Sequence, residues 1–380
     1  MNDSPSSMVA LHHAVALISR PSVTPEDGGC QAYLDTVLQP LGFVRQRLDA
    51  GGVTNSCYPR PGARLGTLAF AGHTDVVPTG PLAAWPHDPF SATVADGILH
   101  GRGAQDMKGA IACWVAAVAL LLEQGVALPT LQLLITSDEE GESIDGTIRL
   151  VAWLQAHHAL PDAVVVGEPS SFQHVGDIVR RGRRGVVQGK ITFLGRQGHS
   201  AYPQDADNAI HRAVPVLARI AAIDWGQPAS GFPATSCQIT NLTAGTGAIN
   251  VIPGSCTAVI DLRYNPANDY EGIVAAIAAC CAEVKVDLKL EHTAQAFVTP
   301  EGPFLQLIAD AIDRCAAIVT RPDTGGGTSD GRFFAAAGVP VVELGLTNGT
   351  IHQIGEQVAV AELAQLTAIY ADIMHHFGVK

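Results

Sequence analysis

Leu68-Ala69-Phe70-Ala71-Gly72-His73-Thr74-Asp75 is an apolar run that ends on a histidine and an aspartate. Four apolar residues in succession suit a strand buried on both faces, so 68–71 reads as a strand with His73 and Asp75 just past its carboxyl end. The form recurs twice. Residues 131–136 run into Ser137-Asp138-Glu139-Glu140, and residues 163–166 run into Gly167-Glu168-Pro169. Between and beside them, 110–124 and 146–158 have helical length and an apolar stripe. Apolar strands alternating with helices predict an α/β fold with a mostly parallel sheet covered by helices.

The pattern changes near residue 185. Residues 186–193 alternate apolar and polar, as a sheet with one wet face does. Helices are expected at about 208–223 and 271–284, and strands at 236–242, 256–263 and 286–291. Helix–strand alternation then returns with 304–318, 339–344 and 360–377. The chain therefore reads as a discontinuous domain, 1–184 and 297–380, interrupted by an inserted α+β domain, 185–296.

Composition bounds the function. The chain has 380 residues, 36 acidic against 23 basic, for a net charge of −13. No basic surface for nucleic acid is expected. The longest strongly apolar run, 110–122, has 13 residues, short of the roughly 20 a bilayer span needs. The first residues lack the positive region of a secretory signal, and the eight cysteines include no Cys-x-x-Cys pair. These features predict reduced thiols and a cytoplasmic protein without membrane attachment.

In open parallel sheets ligands bind at the carboxyl edge of the strands, which gathers His73, Asp75, Asp138, Glu139, Glu140 and Glu168 at one crevice. His352 lies a loop beyond the strand at 339–344, and Asp106 sits in Gly101-Arg102-Gly103-Ala104-Gln105-Asp106-Met107-Lys108-Gly109. Carboxylates at the ends of apolar strands are costly unless a cation compensates them. Two histidines with carboxylates and no nearby cysteine suit zinc, cobalt or manganese. Four carboxylates and two histidines exceed one tetrahedral ion and fit two ions sharing a carboxylate. Asp75, two residues from His73, is placed to accept its second imidazole N–H. Spacing alone leaves base and ligand undivided between Glu139 and Glu140.

Together, Gly72-His73-Thr74-Asp75, Gly101–Gly109, Thr136-Ser137-Asp138-Glu139-Glu140-Gly141, Gly167-Glu168-Pro169 and Ile351-His352 resemble the co-catalytic metallopeptidase family that includes acyl-amino-acid deacylases and some carboxypeptidases. Gly167-Glu168-Pro169-Ser170-Ser171, Arg181-Gly182-Arg183-Arg184-Gly185, Gly198-His199-Ser200-Ala201-Tyr202-Pro203, Asn250-Val251-Ile252-Pro253-Gly254 and Gly326-Gly327-Thr328-Ser329-Asp330-Gly331-Arg332-Phe333 are similar to the branch acting on N-succinyl-LL-2,6-diaminopimelate. The resemblance implies His73, Asp106 and Glu168 around one zinc and Asp106, Glu140 and His352 around the other, with Co2+ able to replace one. It implies Glu139 as general base and Asp75 as a catalytic-site residue. It further implies a homodimer in which His199 of the inserted domain, a dimerisation lid, enters the partner's site. The implied reaction is hydrolysis to LL-2,6-diaminopimelate and succinate by water activated between the ions, in lysine and cell-wall precursor synthesis. Sister activities on N-acetylornithine or a peptide carboxyl end stand beside it, and a catalytically dead metal-binding scaffold is the rival of another class. Arg181 and Arg263 would bind substrate carboxylates bidentately, with Asn250, Thr328 and Asn348 donating hydrogen bonds. Ile249, where the branch commonly carries asparagine, and the extra acid Glu142 depart from the pattern.

Overall fold

The computed structural model describes residues 5–229 and 231–378, with side chains from residue 8 onward. The chain divides into two units, 1–182 with 298–323 and 329–380, and 183–297 with 324–328. The segment 324–328 belongs to the second unit, which the linear reading of the chain does not include. Among the described residues no helix is long and apolar enough to cross a membrane.

The first unit is built on an eight-stranded sheet. Its spatial order is Gln46–Arg47, Ser56–Arg60, Pro129–Thr136, Arg64–His73, Ala163–Val166, Val341–Glu343, Ile178–Arg180, Arg321–Asp323. Pairing is parallel among the four central strands and antiparallel at the Ser56–Arg60 side and between Val341–Glu343 and Ile178–Arg180. The sheet is thus mixed, with the expected parallel centre.

Alternation along the strands separates two faces. Leu68, Phe70, Leu131, Leu133, Ala163 and Val165 join one cluster with the helices Pro5–Ile18, Lys108–Glu123, Pro303–Ala316 and Val360–His376. Ala69, Leu134 and Val164 are equally buried but lie outside that cluster. Phe70 sits edge-on to Tyr370 at 5.5 Å and tilted to Trp114 at 5.7 Å. Such aromatic pairs contribute roughly 0.5–1.5 kcal/mol beyond area burial. The buried Lys108 ammonium donates to the carbonyls of Leu17 and Arg20, at 3.1 and 2.9 Å, and so ties the end of the first helix and the turn after it to the start of the helix Lys108–Glu123.

Parallel register aligns the strand ends. His73 pairs with Thr136 and Ala71 with Val166, so the residues that follow each strand leave the sheet at one edge. Two glycines make this edge possible. A Cβ at Gly72 would lie 2.4 Å from Met107 Cε, and one at Gly167 would lie 2.3 Å from Phe70 Cζ. Met107 fills the space that those side chains would occupy.

The second unit is an antiparallel sheet ordered Ser236–Ala244, Ser255–Tyr264, Gly185–Leu194, Val286–Ala294. Val187, Ile191, Phe193, Ala258, Ile260 and Leu262 form its core with the helices Ala209–Ala221 and Tyr270–Cys281. Asn208 and Asp269 cap these helices through side-chain oxygens that accept backbone N–H bonds, the usual solution for the first unpaired amides. The intervening side chains, among them Gln188, Lys190, Asp261, Arg263, Lys289 and Glu291, line a groove on the other face.

Candidate metal centre

Four loops bring the ionisable groups of the first unit together. His73 ends its strand and is buried. Glu168 lies two residues past Val166, and Glu140 follows the strand Pro129–Thr136. His352 comes from the loop after Val341–Glu343. Asp106 comes from the loop before the helix Lys108–Glu123. His73, Asp106 and Glu168 form one triad of ligand-type atoms, and Asp106, Glu140 and His352 another, each within 4.8 Å of one another. Asp106 is common to both. Its Oδ1 lies 3.2 Å from His73 Nε2 and its Oδ2 lies 3.3 Å from His352 Nε2. Glu168 Oε1 is 3.5 Å from His73 Nε2, and Glu140 Oε1 is 3.0 Å from His352 Nε2.

The chemistry of this donor set fits a cation. His73 Nδ1 is 2.9 Å from the carbonyl oxygen of Asp75. A carbonyl only accepts, so Nδ1 carries the proton. In the neutral ring Nε2 then presents a lone pair toward the oxygens of Asp106 and Glu168, an arrangement that a metal ion reconciles. Glu168 Oε1 is buried and has no hydrogen-bond partner among the described residues. Without an ion, burial and the charge of Asp106 push the Glu168 carboxyl up to about 7. Burial, then the charge of Glu168, drives Glu139 well above the usual carboxylate range. Hydrogen bonds to Asp106 and Glu140 raise His352 to about 10. Burial opposes ionisation of Asp106, yet hydrogen bonds from His352 and His73 hold its carboxyl below the usual range. The carboxyl groups of Asp106, Glu139 and Glu168 crowd so closely that they cannot all ionise without positive charge beside them, which a bound dication provides.

Asp75 acts differently from the expectation. The hydrogen-bond partner of His73 Nδ1 is the Asp75 main-chain carbonyl, while the carboxylate Oδ1 stands 3.6 Å away. The local chain turns the Asp75 carboxylate toward the acidic loop instead, where it accepts the backbone N–H groups of Glu139 and Glu140 at 3.4 and 3.1 Å. Asp75 therefore orients the segment that carries both glutamates. Glu139 is partly buried and belongs to neither triad.

A family model, peptidase family M20/M25/M40, matches residues 69–376. The chain belongs to this family. It is 46% identical over 369 residues to a succinyl-diaminopimelate desuccinylase of Halorhodospira halophila (strain DSM 244 / SL1), covering 96% of this chain and 97% of that protein. It is 44% identical over 382 residues to one of Hahella chejuensis (strain KCTC 2396), covering 100% and 99%. Among solved structures, an M20 family metallo-carboxypeptidase, Sso-CP2 from Sulfolobus solfataricus, superposes with a TM-score of 0.83 at 15% identity over 98% of this chain and 99% of its own. The aminopeptidase PepT of Bacillus cereus ATCC 10987 does so with a TM-score of 0.82 at 19% identity, covering 97% and 98%. At these identities the two structures establish the shared fold. M20 membership and the two triads support a metal cofactor.

The expected substrate-binding residues divide between the units. In the first, Arg181 forms an ion pair with Glu301, and the backbone N–H of Asn348 donates to Ser171 O at 3.0 Å. In the second, Arg263 Nε donates to Asp261 at 2.9 Å, and Asn250 is exposed. Thr328 Oγ1 is buried and has no hydrogen-bond partner among the described residues. His199 is also in the second unit and is exposed, its Nδ1 accepting from Ala201 N at 3.0 Å. Sequence reasoning missed Glu356, which is fully buried beside the Asp106 loop. A lone acid four residues after His352 carries no periodic signal that would single it out.

Proposed function

We propose that the chain is a metal-dependent amidohydrolase that cleaves N-succinyl-LL-2,6-diaminopimelate to LL-2,6-diaminopimelate and succinate. The observation that carries this reading is a pair of ligand triads sharing Asp106, in a chain that aligns over nearly its full length with relatives named for that activity. His73, Asp106 and Glu168 would hold one zinc, and Asp106, Glu140 and His352 the second, with Co2+ able to substitute. Such ions, when bound, make a water molecule acidic near neutral pH and polarise an amide carbonyl.

The protein's own groups do the rest. Glu139 accepts a proton from the attacking water on its carboxylate and delivers it to the leaving amine, so water is added across the C–N bond. Asp75 keeps Glu139 and Glu140 in place through their backbone N–H groups. His199 stabilises the charge developing on the amide oxygen. In this reading it reaches the site of the partner in a homodimer, with residues 185–296 serving as dimerisation and lid domain. Arg181 and Arg263 neutralise substrate carboxylates, and Asn250, Thr328 and Asn348 complete the binding set. The protein would work in the cytoplasm.

The test is a direct comparison of N-succinyl-LL-2,6-diaminopimelate with N-acetylornithine, using purified zinc-loaded protein. A higher kcat/KM for the succinyl substrate is expected. Faster turnover of N-acetylornithine would replace the proposal with the sister deacylase activity.

A further inference from the structure

Asp106 lies in a loop rather than at a strand end, so something other than the sheet must fix it. Glu356 is the buried group that does so. Its Oε1 accepts the backbone N–H of Gln105 at 2.9 Å and of Asp106 at 3.1 Å. Its Oε2 accepts Arg102 Nη1 at 2.8 Å and the N–H of Gly103 at 3.0 Å. Its own carbonyl accepts the N–H of Gly101 at 2.9 Å. A single carboxylate thus takes four donors from one five-residue stretch, and one of them is the amide of the shared ligand itself. Gly103 is needed there: its φ is +88°, and a Cβ would lie 2.9 Å from Val76 Cγ1.

Gln105 carries the restraint across to the other histidine. Its Oε1 accepts the N–H and the hydroxyl of Thr350, at 2.9 and 2.5 Å, and its Nε2 donates to Thr347 Oγ1 at 2.9 Å. Thr350 Oγ1 in turn accepts from Gln357 N at 3.1 Å. His352, two residues on, has a φ of +59°, a left-handed conformation that a non-glycine residue keeps only when its surroundings enforce it. The clamp on Thr350 supplies that enforcement.

We propose that Glu356 is a positioning residue: its buried carboxylate sets the aspartate common to both triads, and Gln105 extends the same restraint through Thr350 to the His352 loop. The inference rests on the reading that the triads hold metal. Groups that orient ligands from behind typically change metal affinity or activity by roughly 10–100-fold when altered. Glu356→Gln keeps the shape but replaces one oxygen by an amide NH2. Because each oxygen serves two donors, either orientation leaves two donors facing a third.

The experiment titrates Zn2+ calorimetrically into metal-depleted protein and records the visible spectrum of the Co2+ form, beside kcat and KM. In Glu356→Gln, zinc affinity is expected to fall by about 10–100-fold, with an altered Co2+ spectrum and a drop in kcat rather than a rise in KM. Glu356→Asp keeps the charge but draws it back by one methylene, and should fall between that variant and wild type. Thr350→Val should weaken zinc binding at one of the two triads. A folded Glu356→Gln protein with wild-type zinc affinity and an unchanged Co2+ spectrum would reduce Glu356 to a scaffold residue and overturn the proposal. Where Glu356→Gln does not fold, wild-type affinity in both Glu356→Asp and Thr350→Val overturns it instead. Wild-type protein that takes up no Zn2+ is a separate result, and fails the metal reading of the triads.

Discussion

Asp106→Asn tests the arrangement most sharply. The aspartate sends one oxygen toward His73 and the other toward His352, so asparagine can offer an oxygen to only one of them. The other then faces an NH2 group, and both lose a negative charge. The ligand-type atoms of each triad lie within 4.8 Å of one another. At a separation of about 4 Å and an effective dielectric of 20, a unit charge acting on a dication is worth about 8 kcal/mol. That corresponds to about a millionfold in affinity. The loop itself should persist, because Glu356 holds the residue by its backbone N–H rather than by its side chain. The expected outcome is a folded protein in which one zinc equivalent is lost and the other is strongly weakened. Calorimetric titration of Zn2+ with elemental analysis of the dialysed protein measures both. Two equivalents bound with affinities within about tenfold of wild type would show that the shared carboxylate is not what joins the triads.

Two further outcomes follow from the same geometry. Glu139→Ala leaves both triads intact and should retain its bound metal while turnover falls by at least about 10²-fold; near-wild-type turnover would remove Glu139 from the proton path. Gly167→Ala places a Cβ 2.3 Å from Phe70 Cζ and 2.5 Å from Met107 Cε, an overpacking that costs roughly 1–3 kcal/mol. Thermal unfolding of the metal-depleted variant should show the loss, and an unchanged Tm would contradict the close packing beneath Glu168.

Much of the fold can be read from local pattern. The strands at 68–71, 131–136 and 163–166 reappear as the core of Arg64–His73, Pro129–Thr136 and Ala163–Val166. Their apolar runs require burial on both faces, and only a helix-covered sheet offers it. The edge strands Gln46–Arg47 and Arg321–Asp323 escaped notice because two or three mostly exposed residues carry no periodic signal. The strand Ser56–Arg60 contains a proline and a charge, which masks it in the same way.

What the residues determined by themselves was the supply of chemistry: histidines and carboxylates placed where buried strands stop. That follows from local rules, since an apolar run dictates a strand and its end dictates an exit from the sheet. What only the tertiary structure decided was how these groups are shared. Glu139 and Glu140 are neighbours in the chain, yet only Glu140 is brought to 3.0 Å from His352. Asp106 joins the triads because a glutamate 250 positions away collects its loop. Hydrogen bonds between such distant segments leave no local trace, because a buried carboxylate can be satisfied by any part of the chain that folding delivers to it.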